Sequence, residues 1–188
     1  GYVQGMNLIA GFLLACSAES VGKMKQGQKI GKGDENRKAR VDERQTFWVF
    51  ARLMKMPKYN LRQFFLPNMP RLMVMAYQMD TIMSEWTGKN EQELFEHFKR
   101  LDIDTKTWFA TWALTLFSST MPWHMLRQAW GFIFQKGVNI GVVSITMAIL
   151  QTSTQRLLLC TDKNELLNLL KSKAIFLEIV VDAQAMLA

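Results

Sequence analysis

The chain has 188 residues, 49% of them hydrophobic, with four prolines and a formal net charge of +7. That length suits one domain or a large part of one, and the apolar content supports a packed core and excludes wholesale disorder. The basic residues form no single stripe, and the segment Ala18 to Arg44, which holds eight of them, has no aromatics between its charges, so attraction to nucleic acid or an anionic membrane surface is the minority reading.

From Tyr2 to Ser17 the sequence is dense in Leu, Ile, Ala, Phe and Met and reads as a buried helix, or a turn leading into one. The chain opens Gly1-Tyr2 inside this apolar run, without methionine or signal sequence, as expected of a fragment. The segment Ala18 to Arg44 then mixes eight Lys or Arg with five Asp or Glu and four glycines, the composition of a solvated, flexible insertion. A helix is predicted over Thr46 to Met56, stopped by Pro57, and a short piece over Leu61 to Phe65 before Pro67 and Pro70. Leu72, Met75, Ala76, Met79, Ile82, Met83 and Trp86 form one helical stripe with Pro70 in its first turn. Its methionines fit core packing better than an adaptable groove.

Asn90 and Glu93 have capping-box spacing and are expected to open the next helix, carrying Leu94, Phe95 and Phe98. Asp104 is expected to cap a helix bearing Trp108, Phe109, Trp112, Leu116 and Phe117. Pro122 begins another, with Leu126, Ala129, Trp130, Ile133 and Phe134 on one face and a stop at Lys136-Gly137. Further helices are predicted over Ile140 to Cys160, Asp162 to Leu170 (a second capping box, Asp162 and Glu165) and Ile175 to Leu187. No segment alternates like a strand, so the predicted fold class is all-α.

Little here resembles catalytic machinery. Cys16 and Cys160 lie far apart, His97 and His124 are equally isolated, and buried reduced thiols without a metal site are expected. No apolar run reaches the ~18–20 residues of a transmembrane segment. Glu91, Glu93 and Glu96 read as a solvated face. The exception is at the start: Gln4 and Asn7 interrupt an apolar run beside Gly1 and Gly5. Amides buried in such a run must be satisfied internally, as by tying the helix to a neighbouring backbone, or meet a partner, because an unpaired buried polar group costs about 1–3 kcal/mol.

The motif Tyr2-Val3-Gln4-Gly5-Met6-Asn7 resembles the Tyr-x-Gln-Gly-Met motif of TBC-domain Rab GTPase-activating proteins. The resemblance continues in order through Phe47-Trp48-Val49-Phe50, Tyr59-Asn60-Leu61-Arg62, Leu66-Pro67-Asn68-Met69-Pro70-Arg71-Leu72, the run from Trp112 to Phe117 followed by Pro122, and Trp130 with Gly137. Each match is weak alone; together they cover about 140 residues and are specific.

The resemblance implies a multi-helix TBC domain spanning 1–188, with the insertion at 18–44 and the family's N-terminal helices missing. It implies an enzyme regulator that activates a GTP-bound Rab-family GTPase in trans, rather than an enzyme. The activator needs no cofactor of its own, since GTP and magnesium belong to the partner. Its setting is vesicle trafficking, in a cytoplasmic protein recruited peripherally to membranes through that partner. Two fingers act in this family. The glutamine maps to Gln4, with Tyr2, Gly5, Met6 and Asn7 supporting its loop, while Trp112, Pro122, Trp130 and Gly137 are structural motif positions. The arginine belongs to an Ile-x-x-Asp-x-x-Arg motif that the family places upstream of Tyr2, and these 188 residues contain none. Gly131 also stands where the family has aspartate. The alternatives are a catalytically impaired TBC-like module that binds a Rab GTPase or another partner as a scaffold, and an unrelated helical scaffold.

Overall fold

The computed structural model describes residues 2–26 and 43–176, with side chains described except at 19–26. Every regular element among the described residues is helical. The chain divides into two compact units, Gly1–Leu61 and Arg62–Ala188.

In the first unit, α1 (Met6–Gln26) packs against α2 (Glu43–Lys55). α1 buries Ile9, Phe12 and Leu13, while α2 turns Thr46 and Leu53 inward. Phe47 and Trp48 are 61% and 60% exposed and meet edge to face with centroids 5.5 Å apart. Adjacent helical residues point about 100° apart, so a face that buries positions 46 and 53 turns 47 and 48 outward. The segment expected as a loop from Ala18 to Arg44 is helical at both ends, since α1 runs on to Gln26 and α2 starts at Glu43. Its interior, 27–42, lies outside the described residues.

The second unit is built on α3 (Pro70–Ser84), α4 (Lys89–Arg100), α5 (Thr105–Ala113), α6 (Trp123–Lys136), α7 (Val138–Thr152), α8 (Thr154–Leu158) and α9 (Lys163–Lys171), with 3₁₀ turns at Leu61–Phe64 and Lys173–Phe176. The α3 stripe buries Leu72, Met75, Ala76, Met79 and Met83, so these methionines are core; of the other two residues expected on it, Ile82 is exposed and Trp86 lies half-buried beyond the helix's end. Trp108, Phe109 and Trp112 of α5 are fully buried, with the two indoles edge to face at 5.2 Å. The Asp104 side chain accepts from the Lys106 amide, capping α5 as expected. Asp162 likewise accepts from the Asn164 and Glu165 amides at 2.8 and 2.9 Å, and Glu165 accepts in return from the Thr161 amide.

Four expectations need correction. α4 begins at Lys89 with Gly88 as its capping residue, so Asn90 lies inside the helix and caps nothing. Leu116 and Phe117 do not continue α5: they sit at φ 47° and 66° in the turn that follows it. Such a pair costs roughly 1–2 kcal/mol per residue, offset here by burial of both side chains. The helix expected over Ile140 to Cys160 is interrupted at Ser153 (φ −96°, ψ 8°). The Thr152 and Thr154 hydroxyls flank that break and donate back to the carbonyls of Ala148 and Leu150, a contact that bends helices. Ile175 and Phe176 belong to a 3₁₀ turn, and the rest of the helix expected there lies outside the described residues. No described helix is long and apolar enough to cross a membrane.

Candidate functional site

The residues before α1 form a tight turn. Gly5 is buried and stands at φ 106°, a region that residues with a Cβ rarely enter. Its carbonyl accepts from the amides of Leu8 and Ile9 at 3.1 and 3.3 Å, which makes Gly5 the residue that starts the helix. One step earlier, the Met6 amide donates to the Val3 carbonyl at 3.2 Å and closes the turn. Asn7 folds its side chain back over this turn. Its Oδ1 accepts from the Tyr2 hydroxyl at 3.0 Å and from the Gly5 amide at 3.3 Å. The geometry is that of one half of a capping box, in which a side chain from the first helical turn satisfies the amide of the capping residue.

Gln4 sits on this turn with its side chain exposed, and among the described residues no hydrogen bond ties it down. The sequence suggested a buried amide; both Gln4 and Asn7 are exposed instead. The apolar run around them is anchored by Ile9, Phe12 and Leu13, whereas Gln4 precedes the helix and is released by the Gly5 turn. Met6 is half-buried and Tyr2 is 69% exposed. The turn therefore gathers Tyr2, Gln4, Gly5, Met6 and Asn7 in one place, with a single unengaged carboxamide group projecting from Gln4. A primary amide can donate and accept at once, so it can bridge a phosphate oxygen and a water molecule.

The other motif positions lie in the second unit and are not brought into any such polar cluster. Trp112 and Trp130 are buried, and the Trp130 indole N–H donates to the Leu116 carbonyl at 3.1 Å, holding the strained turn after α5. Pro122 is the residue from which α6 starts, its carbonyl accepting from the Leu126 amide at 2.8 Å. Gly137 ends α6 and starts α7 at φ 86°, ψ 167°. The stop expected at Gly137 is thus present, and it uses an extended positive-φ region essentially restricted to glycine. Gly131 is exposed on α6, with open space where a Cβ would stand. His97 is buried, its Nδ1 2.6 Å from an Arg100 guanidinium nitrogen, and burial pushes the Cys160 thiol pKa up, away from reactivity.

Sequence reasoning missed one concave feature. A cavity of about 410 Å³ between α3 and α7 is lined by Tyr77, Gln78, Thr81, Ile82, Asn139, Ile140 and Val143. At one end the Arg71 guanidinium donates twice to Asn139 Oδ1, at 2.9 and 2.8 Å. Its signal was available: α7 carries no charged residue, so apolar side chains line more than its buried face.

Residues 1–158 match the Rab-GTPase-TBC domain family. The chain is similar to the GTPase-activating protein GYP5 of Eremothecium gossypii, 34% identical over 98 residues, covering 52% of this chain and 11% of the relative. It is 27% identical over 158 residues to the Homo sapiens ecotropic viral integration site 5 protein homolog, covering 84% and 16%. Similarity to the Caenorhabditis elegans Rab GTPase-activating protein eat-17 is 26% identity over 158 residues, covering 84% and 14%. The chain thus spans a small part of the length of these relatives.

Proposed function

The chain belongs to the Rab-GTPase-TBC domain family, and from that membership we propose that it activates GTP hydrolysis by a Rab-family GTPase, with Gln4 inserted at the partner's nucleotide. The observation that carries this reading is the exposed, unengaged Gln4 amide on a turn fixed by Gly5 and Asn7. In the hydrolysis, water attacks the γ-phosphorus and the bond to the β–γ bridging oxygen breaks. Charge spreads over the transferring oxygens, so help comes from placing the water and compensating that charge. The Gln4 amide is suited to accept from the water and donate to a γ-oxygen. Gly5 lets the backbone come close. In the family the second finger is an arginine of an Ile-x-x-Asp-x-x-Arg motif, which these 188 residues do not contain. GTP and magnesium arrive with the partner, whose GTP-bound state is the one recognised, and recruitment to membranes is through it.

Gly131 in place of the family aspartate motivates a second reading, a module that binds the GTPase without accelerating it. Its exposure and open surroundings confine the direct cost to helix propensity, about 1 kcal/mol relative to alanine. Single-turnover GTP hydrolysis by a panel of Rab proteins, with the full-length protein added, separates the two. Stimulation of one or a few of them is expected. Tight binding of GTP-loaded Rab without faster hydrolysis would leave the binding module standing.

A further inference from the structure

We infer that Asn7 is a positioning residue for Gln4: with Tyr2 it forms a latch that fixes the turn from which the glutamine projects. The inference rests on the reading of Gln4 given above and adds what holds that side chain's backbone in place. Asn7 Oδ1 takes two donors at once, the Tyr2 hydroxyl at 3.0 Å and the Gly5 amide at 3.3 Å. These contacts tie both ends of the segment Tyr2–Gly5 to the first turn of α1, and Gln4 lies between the tied points. The Gly5 amide is the less exposed partner, so its bond to Asn7 is less open to competition from water.

The latch restricts the turn rather than the fold. Tyr2, Gln4 and Asn7 are all exposed, whereas packing of α1 depends on Ile9, Phe12 and Leu13. Removing an exposed hydrogen bond costs the folded state little, yet a finger that samples several turn conformations spends less time in the reactive one. Orientation of this kind contributes heavily to rate, and small displacements of a catalytic group are costly. Asn7 acts through the carboxamide oxygen alone, so its –NH₂ group needs no contact with the nucleotide.

The test uses the full-length protein and a responsive GTP-loaded Rab, with Asn7→Ala, Tyr2→Phe and Gln4→Ala alone and in pairs. Readouts are the saturating single-turnover rate, affinity for the GTP-loaded partner, and the melting temperature. Loss of both latch bonds in Asn7→Ala is expected to lower the rate about tenfold, and loss of one exposed bond in Tyr2→Phe about threefold, on typical net hydrogen-bond energies. Affinity and melting temperature stay near the parent values. In a Gln4→Ala background neither change lowers the rate further, because the group being positioned is gone. If Gln4→Ala is slow while Asn7→Ala and Tyr2→Phe react at the parent rate, the latch is wrong and the Gln4 reading stands. An additional loss in the Gln4→Ala background, or parallel loss of melting temperature and affinity, also overturns the latch. If Gln4→Ala itself hydrolyses normally, the proposed function falls first.

Discussion

The N-terminal turn and the aromatic core of the second unit hold the same kind of sequence signal, motif residues shared with one family, yet their physical settings are opposite. Trp112 and Trp130 are buried, and Gly137 is forced into a backbone region closed to other residues. Gln4, Tyr2 and Asn7 are exposed, and only Gly5 of that group is constrained in the way Gly137 is. Burial explains a motif tryptophan by itself, since packing demands it. An exposed glutamine on a pinned turn has no such explanation within the chain. The difference sorts the motifs into those that packing accounts for and those left exposed, where a partner could meet them.

The sharpest way to break that contrast is to truncate the core. Trp112→Ala is expected to destabilise the fold by about 3–5 kcal/mol, the usual range for a fully buried tryptophan, and chemical denaturation would measure it. Trp130→Phe probes a finer point. It keeps most of the ring but orphans the Leu116 carbonyl, at a cost of about 1–3 kcal/mol. Trp112→Phe should be milder, because no acceptor among the described residues meets the Trp112 indole N–H. Equal losses for the two would show that the Leu116 turn needs no lock.

Gly141→Ala gives a comparable test of close packing. A Cβ there would lie 2.9 Å from the Ile133 Cα, so α6 and α7 must separate, and overpacking of this kind costs about 1–3 kcal/mol. Gly131→Ala runs the other way. With nothing near its Cβ position, it should stabilise α6 by up to about 1 kcal/mol and leave GTPase activation unchanged.

The smallest effect concerns pH. The Lys163 ammonium donates to Asp102 at 2.8 Å and attracts it, holding that carboxyl below its ordinary pKa. A depressed folded-state pKa means stability that is present above the usual aspartate range and lost as pH falls through the folded value. Lys163→Met should therefore slightly reduce stability at neutral pH and flatten its loss on acidification. The difference between the proteins should fade at about 1 M salt, because both groups are exposed.

Helices with an unbroken apolar stripe were legible in the sequence. The α3 stripe from Leu72 to Met79, with Met83, and the face of Leu126, Ala129, Trp130 and Ile133 are buried as their spacing requires, while Ile82, Trp86 and Phe134 at the ends of those faces are not. What was not legible depended on a choice between local alternatives. Leu116 and Phe117 fit a helical stripe as well as a turn, and the Trp130 bond, the Phe117 amide's bond to the Trp112 carbonyl and burial of both side chains favour the costlier backbone. At α4, Asn90 offered a cap, but the helix begins at Lys89 with Gly88 as its capping residue. Around Ser153, periodicity carries no mark of a shallow break. The turn at Gln4 was visible through its glycine and its resemblance, whereas its exposure was not, because composition predicts a buried segment and one positive-φ residue redirects it.

The central claim is that Gln4 serves the partner and not the fold, and one paired measurement tests it most directly. In the full-length protein, Gln4→Ala should lower the single-turnover rate of Rab GTP hydrolysis by about 10²–10³, as does loss of one positioned hydrogen-bonding group in a preorganised site. The melting temperature of the same sample, and its affinity for GTP-loaded Rab, should be almost unchanged. A well-folded Gln4→Ala protein that still activates at the parent rate would contradict the account.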